Sequence, residues 1–265
     1  MTQRHTRIIA VCGIAVSLAA GAPAQDPAQR GLAVAQEADR RYHGYGDFTA
    51  HLEMILRNSR GQESRRDIRI QGLEVAGDGD KSLCLFDSPA DIKGTALLTY
   101  THKTGDDDQW LYLPALKRIK RITSSNKSGS FVGSEFAYED IAGQELEKHT
   151  HLHLRDEVLD GTDCLVIERT PVVQKNSGYS RQQVWIDKAE YRTLKVEFFD
   201  RRKALLKTLM VADYRKYADS LWRPGRMTMT NHQTGKSTEL IWSDYQFQTG
   251  LKAGDFSTDN LLRVR

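Results

Sequence analysis

The chain has 265 residues, 39% of them hydrophobic and 28% charged, with a formal net charge of +3. Residues 1–24 contribute Arg4 and Arg7 and no acid, so the rest stands at +1, which excludes a broad nucleic-acid footprint. That leader reads as a secretory signal: two arginines, an apolar run over residues 8–20 that is shorter than the ~20 residues a spanning helix needs, and Ala22-Pro23-Ala24 as a cleavage site. A periplasmic protein is expected, with residues 25–265 as one domain of a length that all-β folds use.

In chain order, residues 27–41 predict a helix, with Leu32, Ala35, Ala38 and Tyr42 on one face and Gly44 and Gly46 ending it. The period then changes to two. Phe48, Ala50, Leu52, Met54 and Leu56 alternate with mostly polar neighbours, and a turn over residues 58–61 returns a second strand carrying Ile68 and Ile70. Further strands are predicted over 81–87, 95–101, 109–113, 116–122, 149–159, 164–170, 182–187, 194–199, 205–217, 222–231 and 238–247, with a short helix over 134–141. This is a mostly β, antiparallel chain. Its sheet offers more apolar area than two short helices can cover, so the interior is either packed by its own side chains or left as a concave cavity for an apolar ligand.

The segment 109–141 carries the most information about function. Gln109-Trp110-Leu111-Tyr112-Leu113-Pro114 leads into the basic run Lys117-Arg118-Ile119-Lys120-Arg121, then a polar loop over 124–131 suited to gating, then Phe136-Ala137-Tyr138. Trp110 and Tyr112 share one strand face. With Phe136, Tyr138, Phe48, Leu52 and Met54 they are candidate cavity lining, although the same residues equally suit an ordinary core. Lys117, Arg118, Lys120 and Arg121 are candidate contacts for a lipid headgroup, a membrane or a partner, against the plain alternative of solvated strand-end charge.

These residues, with Gly94-Thr95-Ala96-Leu97-Leu98, Gly133-Ser134-Glu135 and the closing Asp255-Phe256-Ser257, resemble the outer-membrane lipoprotein-sorting proteins of the LolA-like superfamily, and within it an uncharacterised branch that often accompanies RND-type exporters. The resemblance covers roughly residues 40–265. It implies an incomplete antiparallel β-barrel of about eleven strands, with a helical lid over a hydrophobic cavity that takes a lipid or lipoprotein acyl chain. It also implies an inner-membrane transporter of RND type as partner. The chain is longer than the dedicated lipoprotein carrier, which leaves the cargo open. A lipid-sensing regulatory module of the same fold is the alternative.

Other features point to little chemistry. Cys84 and Cys164 sit in apolar strand-like runs; an oxidising compartment permits pairing, and small buried hydrophobes fit equally. His149, His151 and His153 alternate on one strand without the companion ligands of a zinc site, and Asp106-Asp107-Asp108 lacks calcium-loop spacing, so no metal is expected. No nucleophile elbow, phosphate loop, dinucleotide fingerprint or H-E-x-x-H pattern occurs. A binder is expected rather than an enzyme, with no cofactor.

Overall fold

The computed structural model describes residues 26–218 and 220–262; the expected signal peptide, residues 1–24, lies outside them. Among the described residues no helix is long and apolar enough to cross a membrane. Helix α1 (Pro27–Tyr42) starts where the sequence provides a start: Pro27 occupies its first turn and the Asp26 carboxylate accepts the Ala28 amide at 3.2 Å. Arg40 and Arg41 in its last turn suit the negative end of the helix.

From there strands dominate. β1 (Asp47–Arg57) and β2 (Glu63–Leu73) form the expected long hairpin, in which Asn58 Oδ1 closes the turn by accepting the Arg60 and Gln62 amides. β3 (Lys81–Ser88), β4 (Ala96–Tyr100), β5 (Asp108–Leu113) and β6 (Arg118–Ile122) continue that half. β7 (His149–Leu159), β8 (Thr162–Pro171), β9 (Tyr179–Asp187), β10 (Thr193–Asp200), β11 (Leu205–Ala212), β14 (Arg226–Asn231) and β15 (Ser237–Phe247) make the other. The predicted strands 205–217 and 222–231 break at left-handed Asp213 (φ 55°) and at Gly225, and their inner ends form a separate ribbon, β12 (Arg215–Tyr217) with β13 (Leu221–Arg223).

One antiparallel sheet of thirteen strands results, in the order β6-β5-β4-β3-β2-β1-β15-β14-β11-β10-β9-β8-β7. The resemblance implies about eleven; the open-barrel class is the one observed, since β6 and β7 are edges without a further partner among the described residues. The sheet curls far enough that loops beside those edges meet: Asn176 donates to Asp106 at 3.0 Å and Lys148 pairs with Asp107. Its concave face is a single buried cluster contributed by both halves, including Met54, Ile68, Phe86, Ile167, Val196 and Met229. Phe48 fits there because its partner in register is Gly72, where a Cβ would stand 2.2 Å from the ring. On the convex face, Phe256 and Leu261 of the C-terminal segment, which ends in α3 (Thr258–Leu261), cover Leu83, Leu85 and Leu98.

The cysteines are free and buried in separate clusters on opposite faces, Cys84 in the concave core and Cys164 with Val166 and Trp185 outside it. Pairing would require one of them to cross the sheet.

Candidate functional site

The trough is closed at its two ends by different means. At the end holding the β1–β2 turn, the connection from β6 to β7, residues 123–148, runs across the concave face between the two sheet edges. Its middle is an apolar plug. Phe131 is 1% exposed and meets Phe86 and Tyr138 at 5.7 Å between ring centroids, while Phe136 is 2% exposed. α2 (Tyr138–Ile141) is a single turn; the Asp140 carboxylate accepts the Ala137 amide at 2.7 Å in place of the missing helical partner.

Polar bonds fasten this plug to strands on every side. Gln109 of β5 donates to Tyr138 O at 3.1 Å, Arg66 of β2 donates to Val132 O, and Thr238 of β15 accepts the Glu135 amide at 3.0 Å. Lys207 of β11 reaches Glu135 O at 2.9 Å and Asp140 Oδ2 at 2.6 Å, with both charged side chains only 5% exposed. Tyr179 of β9 donates to the same carboxylate at 2.9 Å. Burial beside Asp140 holds the Tyr179 hydroxyl well above its ordinary value, so it stays a donor. Burial also pulls the Arg66 guanidinium down, since no carboxylate among the described residues lies within ion-pair distance of it.

Beside the plug lies a cleft of about 660 Å³ between residues 128–137, the start of β9, the β10–β11 turn and the end of β14. Its lining is evenly mixed, with polar groups from Ser128, Ser130, Arg201, Arg202, Lys207 and Asn231 and an apolar wall that includes Phe136 and Leu206. A second cleft of about 380 Å³ opens on the convex face between Arg69, Leu83, Leu85 and the C-terminal segment.

This geometry corrects the expected cavity. Leu52 and Met54 of β1 do face the trough, at 4% and 0% exposure, and Phe48 lies partly buried on the same side. Phe136 and Tyr138 are not wall residues around an empty space between β1 and β5; they belong to the plug that fills it. Trp110 and Tyr112 lie on the opposite face, packed with the convex cluster, because alternation turns their neighbour Leu111 inward. Of the seven residues, only Phe136 lines the 660 Å³ cleft.

The basic run is split by the same alternation. Register places Arg121 opposite Trp110, where it pairs with Asp108, and sets Arg118 and Lys120 opposite Leu113 and Leu111 on the other side of an edge strand. Lys117 occupies a left-handed turn (φ 48°) before β6. All four cations are exposed. Burial, with Arg169 as a like charge, lowers His149 to about 3, and His151 is lowered for the same reason. No group of three or more candidate ligands for a metal ion exists among the described residues.

The other end of the trough, where β1 begins and β15 finishes, was not foreseen. Here Tyr45, Phe48, Tyr217, Trp242, Tyr245 and Phe247 gather beneath the C-terminus of α1. Trp242 stacks on Tyr245 at 5.8 Å and Tyr245 on Phe247 at 6.0 Å. In an ideal strand Trp242 and Tyr245 face opposite sides. They share one here because a bulge, with Asp244 left-handed at φ 53°, sets Asp244 and Tyr245 against Ala50. Apart from Tyr45 these rings are only partly buried, and Phe48, Trp242 and Tyr245 continue directly into the concave core.

α1 itself is held lightly. It buries Gly31, Val34 and Ala35, and a Cβ on Gly31 would stand 2.6 Å from the His153 backbone nitrogen, so the helix lies hard against β7 through small residues. Its ion pairs, Arg30 with Asp156 and Arg41 with Glu190, are solvent-facing.

A family model described as "uncharacterized protein" matches residues 78–263. A domain from Vibrio parahaemolyticus described as a candidate outer membrane lipoprotein-sorting protein domain is 57% identical over 89% of this chain and 100% of its own, with a TM-score of 0.87. A DUF1329 family protein from Desulfovibrio piger is 29% identical over 89% of this chain and 99% of its own, TM-score 0.85. A LolA superfamily protein from Nitrosomonas europaea, 21% identical over 87% and 98%, shares the fold with a TM-score of 0.70. No curated protein matches the sequence.

Proposed function

The chain belongs to the LolA-like outer-membrane lipoprotein-sorting superfamily, and from that premise we propose that it is a periplasmic carrier of an acyl chain. The chain, from a lipid or a lipoprotein, lies along the concave face against Phe48, Leu52 and Met54, and enters at the aromatic end beneath α1. One observation carries this reading above the others: a continuous apolar concave face built from both halves of an open sheet is covered at that end by a helix seated through small residues, by the short β12–β13 ribbon and by mostly part-exposed rings. Such a cover separates at modest cost, whereas a sheet packed on a second sheet does not. The plug end, with its buried ion pair, is the fixed floor.

Transfer follows from the same division. An inner-membrane transporter of RND type delivers the chain and an acceptor receives it, while Lys117, Arg118, Lys120 and Arg121 at the exposed β6 edge contact anionic headgroups or the transporter. The periplasm is the setting in which the expected signal peptide and such a route agree.

Organic extraction of protein purified from its native periplasm, followed by mass spectrometry, tests the proposal. An acylated molecule near one per protein is expected. An empty extract, together with no saturable binding of a fluorescent fatty-acyl probe, would refute it.

A further inference from the structure

Arg223 is buried and, like the half-buried Arg66, has no ion-pair partner among the described residues; it also keeps a buried guanidinium nitrogen without an acceptor. The residue is 2% exposed, yet among the described residues no carboxylate lies within 4.0 Å of its guanidinium. Nη1 donates to Trp222 O at 2.9 Å and Nη2 to Tyr42 O at 3.0 Å, while Nε is buried with no acceptor among the described residues. Three aromatic faces surround it, Tyr42 at 4.3 Å, Tyr45 at 5.2 Å and Phe247 at 5.6 Å. Faces of this kind stabilise a cation, but they do not neutralise it and do not accept the Nε proton. Burying a guanidinium without an anion is costly, so an acceptor of negative charge would stabilise the arrangement.

The surroundings suit the polar end of an amphiphile. Phe247 beside Arg223 begins the stack of Phe247, Tyr245 and Trp242, which runs into the apolar trough and ends at a second buried donor without a partner, Trp242 Nε1. A charged group at Arg223 would thus have its hydrocarbon directed along rings toward Leu52, which is paired in register with Trp242. Tyr42, the last residue of α1 and 48% exposed, is the part of the cage able to swing aside. The other arginine of this neighbourhood, Arg192, differs: it lies over Trp222 but is paired with Asp187 at 2.7 Å.

We propose that Arg223 anchors an anion subsite, taking the carboxylate or phosphate end of an amphiphile whose chain occupies the trough, with Tyr42 as its cover. The subsite deepens the carrier reading and rests on it for the position of the chain. Its anion chemistry can be tested alone, with anions too short to need the trough.

The test is a titration of ¹⁵N-labelled protein with butyrate, butyl phosphate and butanol, following the Arg223 Nε–H and tryptophan indole resonances. Both anions, or the one whose geometry fits, should shift Arg223 Nε–H and the Trp242 indole saturably, while butanol does not. The better of the two distinguishes a carboxylate from a phosphate source. In a second arm, palmitic acid, hexadecyl phosphate and methyl palmitate compete with a fluorescent acyl probe. Wild type should favour the better anion over the ester by at least about tenfold, the scale of one charge-assisted hydrogen bond. Arg223→Gln should erase that preference, so that anion and ester compete about equally; Trp242→Phe, which keeps the ring and removes the N–H, should reduce it in part. Absence of shifts with both short anions, or an anion preference that survives Arg223→Gln, would overturn the subsite. Loss of all long-chain binding while the short anions still shift Arg223 would instead overturn the carrier reading and leave the subsite standing.

Discussion

The two ends of the trough are closed with opposite physics. At the plug end, Lys207, Tyr179, Arg66 and Gln109 place charge-assisted and buried hydrogen bonds between four strands and the crossover, two of them on Asp140. At the aromatic end, α1 is seated through Gly31, Val34 and Ala35 and over rings that, Tyr45 apart, water still reaches, with a single buried bond from Arg223 to Tyr42 O at the helix end. Buried polar bonds are expensive to leave unmade and fix one geometry, while a cover of small residues and surface ion pairs can part at little cost. The contrast teaches which side is floor and which is door.

The largest effect is expected where the floor is cut. Asp140→Ala leaves Lys207 buried without its acid and removes the Ala137 cap and the Tyr179 acceptor, so denaturant melts should show a loss of about 3–5 kcal/mol. A loss below about 1 kcal/mol would mean that the plug is not anchored there. Next comes the door. Gly31→Ala forces a Cβ against the β7 backbone, so α1 should be pushed off at a cost of about 1–3 kcal/mol, with faster uptake of an acyl probe in stopped flow. Unchanged uptake would count against α1 as the cover.

Exchanging aromatics separates the two faces of the sheet. Trp110→Ala, on the convex face, should cost about 1–2 kcal/mol and leave probe affinity alone, whereas Trp242→Ala should weaken binding by more than its stability loss explains. Equal binding losses would erase the distinction between the faces. Acid gives a smaller, graded effect. His149, at the exit of the crossover, is held down to about 3 in the folded protein, below its ordinary 6.5, so the unfolded chain takes the proton first. Its contribution is full above about pH 6.5 and is lost as pH falls from there toward 3, by at most ~1.4 kcal/mol per pH unit. His149→Gln should flatten the acid side of the stability curve; parallel curves for variant and wild type would contradict this.

Reversing Lys117, Arg118, Lys120 and Arg121 to Glu should change stability least, by within about 0.5 kcal/mol for each exposed side chain. It should still abolish salt-sensitive association with anionic vesicles, measured by flotation. Retained flotation would reduce the run to edge-strand charge that blocks sheet-to-sheet pairing.

Much of the fold was legible because period two is a strong signal: β1 and β2, with Phe48, Leu52 and Met54 turned to one side, follow from alternation alone. Alternation also shows that Trp110 and Tyr112 share a face, but the choice of face is made by contacts distant in sequence, here Phe256 and Leu261. Phe136 and Tyr138 read as aromatic lining because nothing local reveals that residues 123–148 run from one sheet edge to the other. Arg223 and Trp242 were missed for a different reason. The bulge at Asp244 breaks the spacing that would have grouped Trp242 with Tyr245 and Phe247, and an arginine in a three-residue strand looks solvated until its ribbon folds over. The density of aromatics between Tyr214 and Phe247 was the one available hint.

The most direct test of a trough with a fixed floor and a movable door is hydrogen exchange with and without a saturating long-chain acyl ligand. The account predicts altered protection in residues 27–42 and in the aromatic ends of β1 and β15, with the plug at residues 131–141 unchanged. Exchange altered at the plug but not at α1, or altered nowhere despite saturation, would contradict it.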